Sequence, residues 1–367
     1  RVPVIEMVEI GAGGGSIARV DELRRITVGP DSAGSEPGPA SYGRGGMLPT
    51  VTDSDVVLGK IDPARFAGGT IALDIEAARG AVDRAVGQPL SLGSETAAYG
   101  VGEIVDENMA NAARVHAVER GAVIGEHTLI AFGGAAPLHA SRLAEKLGIA
   151  RIVVPANAGV GSAVGFLRAP VAYELVRSRY MRLDRFDAAA ANAVIEAMSA
   201  EAQALVAPGA AGRPVFETRV AYMRYLGQGH EIVVPLPQRP LTEADAASMR
   251  SAYEKEYAQL FERFIPNAII EVLSWSVTVS TEATMPPAVG DPTRAGGPKP
   301  IGSRAFYDAR LSKRVDVPVY WRGDLKPGGI VPGPAIIAED ETSTFVSALF
   351  DAWLDNAGGI TLERRRA

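Results

Sequence analysis

The stretch LIAFGGAAPLHA, residues 129–140, constrains the fold of this chain more than any other. Residues 129–132 are an apolar run, too short for a helix and suited to a buried parallel strand. Gly133 and Gly134 then allow a sharp turn, and residues 138–147 place Ala140, Leu143, Ala144 and Leu147 on one helical face. Gly148 stands where a left-handed residue closes such a helix, and RIVVP (residues 151–155) predicts a second buried strand. The expected product is a β–Gly-Gly–α–β unit. Ligands of such units sit beyond the carboxyl end of the strand, where bare backbone and a helix N-terminus can face an anion or a purine.

A second glycine loop lies near the start of the chain. VEIGAGGGS (residues 8–16) reads as a strand running into a loop, with glycine at four of the five positions 11–15. Such a loop exposes backbone N–H groups that can approach a phosphate closely. Residues 17–20 read as a returning strand, so a plain glycine-rich hairpin is the competing interpretation. The strand pattern already runs through residues 2–10, behind Arg1 rather than Met. The chain is therefore expected to begin inside a fold, as a cleaved product or as the second half of something another chain completes. Residues 29–46 hold six glycines and three prolines and are expected to be irregular, yet they carry Asp31, Glu36, Tyr42 and Arg44. PTVTD (residues 49–53) puts Asp53 at the expected N-cap of a helix containing Val56, Val57 and Leu58. A capping role and a functional role both stay open for it.

Helices are expected over residues 76–86 and, as the longest, 94–120, with Ser94 as cap and Gly121 as terminator. Val101, Ile104, Val105, Met109, Ala112 and Val115 form the apolar stripe of the long helix. Glu103, Asn108 and Asn111 lie on another side, as a solvated face or one turned toward loops above it. Residues 155–167 are a second small-residue loop, opening a helix near Val160. From residue 184 the texture changes. Helices are expected over 187–206 and 242–261, the latter opened by Thr242 and Asp245, with a hairpin over 215–226 and 231–236. Residues 273–279 alternate as a half-buried strand, 283–303 read as a linker, and strand patterns resume at 315–321, 333–339 and 344–346. A chain of 367 residues exceeds the roughly 250–300 that one core supports. Two domains are expected: an α/β domain over 1–183, and an α+β domain over 184–367 that ends in a β-rich module.

Composition excludes several classes. Net charge is −6, with no basic cluster beyond Arg364, Arg365 and Arg366, which argues against nucleic acid as a partner. The absence of cysteine rules out disulfides and thiolate metal sites and suits a cytoplasmic protein. No apolar run approaches the roughly 18 residues of a membrane span. The four histidines, His116, His127, His139 and His230, form no i, i+4 pair and no carboxylate–histidine cluster, so no self-contained metal site is expected. His139 opens the helix after the glycine turn, where the positive helix end would favour its neutral form. It reads either as a substrate or nucleotide contact or as a packing residue. His230, beside Glu231 at a hairpin turn, reads as structural. The serine-hydrolase elbow, the P-loop and the dinucleotide fingerprint are all missing; Ser16 takes the final glycine position of the last.

Glycine turns after strands, without a P-loop lysine, leave the actin-like ATP fold. VEIGAGGGSIA (8–18), GPDSAG (29–34) with GPA (38–40), PTVTD (49–53), FGGAAPLHA (132–140), GVGSA (159–163) and GPAII (333–337) together resemble the hydantoinase A/5-oxoprolinase family. The blocks follow the family's order across nearly the whole chain. The resemblance implies part of an actin-like (sugar kinase/Hsp70-like) ATPase core followed by an α+β, β-rich C-terminal domain. It also implies ATP with Mg2+, phosphorylating an amide or carbonyl oxygen for ring hydrolysis, or the related activation in acetone- and acetophenone-type carboxylases. A non-catalytic module that docks a larger hydantoinase B-like subunit is the remaining alternative. The family's N-terminal phosphate loops, of Asp-x-Gly-Gly-Thr type, are not in this sequence, so a companion chain carrying them is expected. Carried onto these residues, the resemblance makes Gly13, Gly14, Gly15, Ser16, Gly133, Gly134 and Ala135 the nucleotide contacts. Asp53 and His139 become the catalytic candidates, and Asp53 or Asp31 could orient a metal-bound water.

Overall fold

The computed structural model describes residues 7–283 and 289–366. Their packing forms two units, one of residues 166–283 and one that joins 7–165 to 289–366.

Along the chain, β1 (Ser16–Val20) and β2 (Ile26–Ser32) pair as an antiparallel hairpin. Helix α1 (Val51–Leu58) is buried at every position. Helix α2 (Ile75–Val82) runs through a π-type turn at Asp83–Gly87 into the single turn α3 (Gln88–Leu90). The long α4 (Ser94–Glu119) packs Ala97, Ala98, Val101 and Val105 against Val51, Val57 and Leu58 of α1. The central unit follows: β3 (Thr128–Ile130), α5 (Ala136–Leu147) and β4 (Arg151–Val154), with β3 and β4 parallel. Gly148 closes α5 at φ 71°, its N–H donating to the Ala144 carbonyl, as the sequence predicts. The chain leaves this unit within α6 (Gly161–Arg168).

In the unit of residues 166–283, β5 (Ala172–Arg182), α7 (Ala188–Ala210), β6 (Val215–Tyr225), β7 (Ile232–Leu236), α8 (Asp245–Phe261) and β8 (Ile270–Thr281) follow in order. The four strands form an antiparallel sheet ordered β5-β8-β6-β7. Alternation along β8 turns Trp275, Val277 and Val279 into the core, where Ile195 and Met198 of α7 join them.

The remaining strands return to the first unit: β9 (Gly302–Asp308), β10 (Lys313–Trp321), β11 (Ile330–Pro332), β12 (Ala335–Ala338), β13 (Ser343–Val346), β14 (Phe350–Leu354) and β15 (Ile360–Arg364). One sheet runs β13-β12-β10-β9 and another β11-β14-β15-β4-β3, so the last strand of the chain pairs directly with β4. Gly59, at φ 82° after α1, lets β9 pass close by; a Cβ there would stand 2.2 Å from the Ala305 carbonyl oxygen.

Packing corrects several expectations. By contact alone, β5 packs with the helices that follow it, and residues 289–366 pack with the first unit. β3 is the sheet edge rather than a buried strand, and Ile130 is 60% exposed. Residues 7–10 adopt no regular structure, and residues 2–6 of the expected first strand lie outside the described residues. β2 extends through Pro30 and Asp31 to Ser32, inside the stretch expected to be irregular. Gly93 rather than Ser94 caps α4, with no side-chain bond. The face carrying Glu103 is not simply solvated. Arg142 of α5 donates to both Glu103 oxygens at 2.7 and 2.8 Å, and Lys146 reaches Glu103 and Glu107 at 3.1 and 3.0 Å.

Candidate active site: a glycine-lined cavity

Both glycine loops open onto one cavity of about 520 Å³, within the range of small-molecule sites. Gly13, Gly14 and Gly15 line one side, and Gly133, Gly134 and Ala135 line another. The turn joining β12 to β13, residues 338–343, with Arg304 and Trp321, completes the wall. Each loop is tied down from the chain's far reaches. Thr52 N–H donates to the Gly14 carbonyl at 2.8 Å, and a Cβ on Gly14 would meet Thr52 Oγ1 at 2.6 Å. Gly133, at φ 107°, donates to the Ala158 carbonyl at 2.7 Å, while Thr342 Oγ1 donates to the Gly134 carbonyl at 2.7 Å. A Cβ on Gly13 or Gly133 would meet nothing within 4 Å, and one on Gly134 only the Glu341 carbonyl oxygen at 3.9 Å. Bare backbone therefore faces open space on both sides. This is the form of cradle that admits a phosphate or a flat heterocycle.

The floor is charged. His139, at the end of the first turn of α5, is 3% exposed. Its Nδ1 lies 2.7 Å from Asp106 Oδ1 of α4, and its Nε2 lies 3.0 Å from Asp55 Oδ2 of α1. Lys60 Nζ stands 2.9 Å from Asp55 Oδ1. Burial opposes protonation of His139, but Asp55 and Asp106 outweigh both burial and the Lys60 charge, and its pKa is raised to about 9. The neutral form expected from the helix end is thus reversed: two carboxylates in contact outweigh a partial dipole charge. Asp55 is held far below the usual carboxylate range, because Lys60 and His139 overcome the cost of its burial.

At the rim, Arg322 donates to Glu339 at 2.8 Å. Burial, opposed by Arg322 and assisted by Glu341 and Asp340, raises the Glu339 carboxyl above its ordinary value. Arg65 sits over the Trp321 ring at 4.5 Å from its centroid.

Asp53 has a different setting. Thr50, not Asp53, is the N-cap of α1, and Asp53 completes a capping box from the N3 position. Its fully buried carboxylate accepts from Ala40 N–H, Ser41 N–H, Thr50 N–H and Thr50 Oγ1 at 3.1, 2.7, 2.9 and 2.9 Å. It is not among the cavity's lining residues, and neither is Ser16, buried at the start of β1. Asp31 lies on the exposed hairpin, paired with Arg19 at 2.9 Å. His230 packs edge-on against Phe261, in keeping with a structural reading.

Six of the seven expected nucleotide contacts, with His139, are thus brought to one cavity. Asp55, Asp106, Lys60 and the 338–343 turn were not foreseen. Asp106 leaves one sequence signal: a carboxylate beside Val105, inside the buried stripe of α4. Among the described residues no group of three or more His, Asp or Glu could hold a metal alone, and no helix is long and apolar enough to cross a membrane.

The layered sheets, the β–Gly-Gly–α–β unit and the two facing glycine turns define an actin-like α/β core portion, joined to an α+β, β-rich domain. Residues 1–175 match the hydantoinase/oxoprolinase family profile, and residues 188–364 match the hydantoinase/oxoprolinase C-terminal domain. The chain belongs to the hydantoinase/oxoprolinase family. It is 33% identical to caprolactamase subunit alpha of Pseudomonas jessenii over 94% of this chain and 50% of that one. It is 32% identical to the acetophenone carboxylase gamma subunit of Aromatoleum aromaticum over 99% of this chain and 51% of that one. The nucleotide-free structure of acetone carboxylase, from work on its ATP-dependent carboxylation, superposes with a TM-score of 0.81 at 28% identity, covering 96% of this chain and 52% of that one. The chain spans about half the length of the curated relatives it matches.

Proposed function

We propose that this chain supplies one side of the nucleotide site of an ATP-dependent enzyme that activates an amide or carbonyl oxygen, with cyclic-amide ring opening as the reaction. The observation that carries the reading is the convergence of two side-chain-free turns on one cavity above a buried charge cluster. When bound, ATP supplies the phosphoryl group that activates the oxygen. Gly13 and Gly14 would pass along its phosphates, since their N–H groups donate no hydrogen bond among the described residues. Gly133, Gly134 and Ala135 would cover its adenosine side, where a Cβ added at either glycine would take up the ligand's space. His139 sets a fixed positive charge beneath them, and Asp55 presents the carboxylate at the floor. Asp53 acts through the loop it holds rather than by touching the ligand. A magnesium ion would take phosphates, waters and one or two carboxylates, for which Asp340 and Glu341 of the lining turn are available.

A hydantoinase B-like subunit would complete the catalysis. Carboxylation of a ketone is the second reading, favoured by the likeness to the acetone and acetophenone carboxylases. Calorimetry with a non-hydrolysable ATP analogue, on the chain alone and with its companions, tests the proposal. Saturable binding in the complete assembly that Gly134→Val removes is expected. Absence of saturable binding there overturns it. Hydrolysis of lactams and hydantoins, set against bicarbonate-dependent ATP consumption with ketones, separates the two reactions.

A further inference from the structure

Two carboxylates face the two ring nitrogens of His139, Asp106 Oδ1 at Nδ1 and Asp55 Oδ2 at Nε2. A neutral imidazole has one N–H, so one nitrogen would point its lone pair at a carboxylate oxygen. The conflict disappears if the ring is an imidazolium or if one carboxyl is protonated. Asp55 is a poor proton carrier, because its other oxygen faces Lys60 at 2.9 Å. Three elements and a residue two positions beyond one of them meet here: α1 brings Asp55, Lys60 past its end brings its ammonium, α4 Asp106 and α5 the ring. Two cations thus balance two anions inside the protein, each side chain being nine-tenths or more buried except Lys60, at 11% exposure. Asp55 and His139 line the cavity; Lys60 and Asp106 line a second, smaller cavity of about 130 Å³ behind them.

We propose that Asp106 is a positioning residue: it holds His139 as an imidazolium that donates from both ring nitrogens, and through it fixes the Asp55 carboxylate at the cavity floor. The consequence is that the carboxylate facing the ligand keeps its charge and orientation throughout turnover. His139 then serves as a permanent charge rather than a proton shuttle. The part concerning the ligand rests on the nucleotide-site reading above; the protonation state of His139 does not.

The test begins on the full chain without nucleotide. Long-range 1H–15N correlation spectra of the four histidines, with His139 assigned by loss of its signal in His139→Gln, should show both His139 nitrogens protonated through neutral pH and a midpoint near 9. A single-tautomer neutral ring, titrating near the ordinary value of about 6.5, overturns the proposal. In Asp106→Asn the midpoint should fall toward that ordinary value; an unchanged midpoint also overturns it. Should that variant fail to fold, the wild-type titration still decides. In the complete assembly, Asp106→Asn should lower kcat about 10²-fold through misplacement of Asp55, with the nucleotide KM within about threefold of wild type and the pH profile shifted. An unshifted profile with full kcat removes the positioning role. If the wild-type assembly binds no nucleotide, the functional reading fails while the imidazolium assignment stands on its own spectra.

Discussion

Thr342 Oγ1 donates to the Gly134 carbonyl at 2.7 Å across 208 residues of sequence. This one bond pins the central glycine turn to the turn between β12 and β13, and both line the cavity. The site is therefore assembled from the two ends of a single folding unit.

Thr342→Val keeps the shape and removes the donor. The Gly134 carbonyl, in an exposed residue, loses its protein partner, which costs about 1 kcal/mol of net hydrogen-bond stabilisation. Urea denaturation should show this loss, and ATP-analogue affinity should weaken as the turn loosens. Unchanged stability would mean that the bond is not formed in solution.

Gly134→Val should leave the fold intact, because the added Cβ meets only the Glu341 carbonyl oxygen at 3.9 Å. The side chain would fill cavity space instead. Circular dichroism and thermal midpoints should stay near wild type while nucleotide binding and ATP turnover disappear. Turnover that survives would make the turn a packing feature.

Asp53→Ala should act on stability. It strips four donors of their acceptor, three of them backbone or side-chain groups of Ser41 and Thr50 in fully buried residues. Stranded buried donors cost about 1–3 kcal/mol each, partly recovered by relaxation, so a loss of roughly 3 kcal/mol is expected. A variant as stable as wild type but inactive would instead place Asp53 in direct contact with the ligand.

The His139 cluster makes stability depend on pH in two windows. The folded pKa of His139 is raised to about 9, so its contribution is fully present below the unfolded value of about 6.5 and is lost as pH rises through about 9. At about 1.4 kcal/mol for each pH unit, roughly 3 kcal/mol should disappear across that range. Asp55 is shifted the other way: its contribution is present above its unfolded value of about 3.9 and falls away in stronger acid. Urea midpoints from about pH 2 to about pH 10 should trace both limbs, and His139→Gln should flatten the alkaline one.

Local physics carried much of this protein in its sequence. Alternation marked β8, the hairpin of β6 and β7 was visible in its pattern, and Gly148 announced the end of α5. The two glycine turns were legible because no other residue leaves backbone so exposed. Capping was less reliable: Thr50 and Asp53 form a reciprocal pair, and only backbone geometry decides which of them is the N-cap.

The return of the chain was not legible. Nothing local to residues 360–364 says that they pair with residues 151–154, because strand pairing is chosen by the sheet already present and not by the strand's own pattern. The same holds for the charge of His139. Sequence places it at a positive helix end; only the packing of α1, α4 and α5 sets a carboxylate against each ring nitrogen and reverses its preference. Short-range propensities thus determined the turns, most helices and the alternating strands of this protein. Contacts between residues far apart in sequence decided that the two turns share one cavity and that its floor is charged.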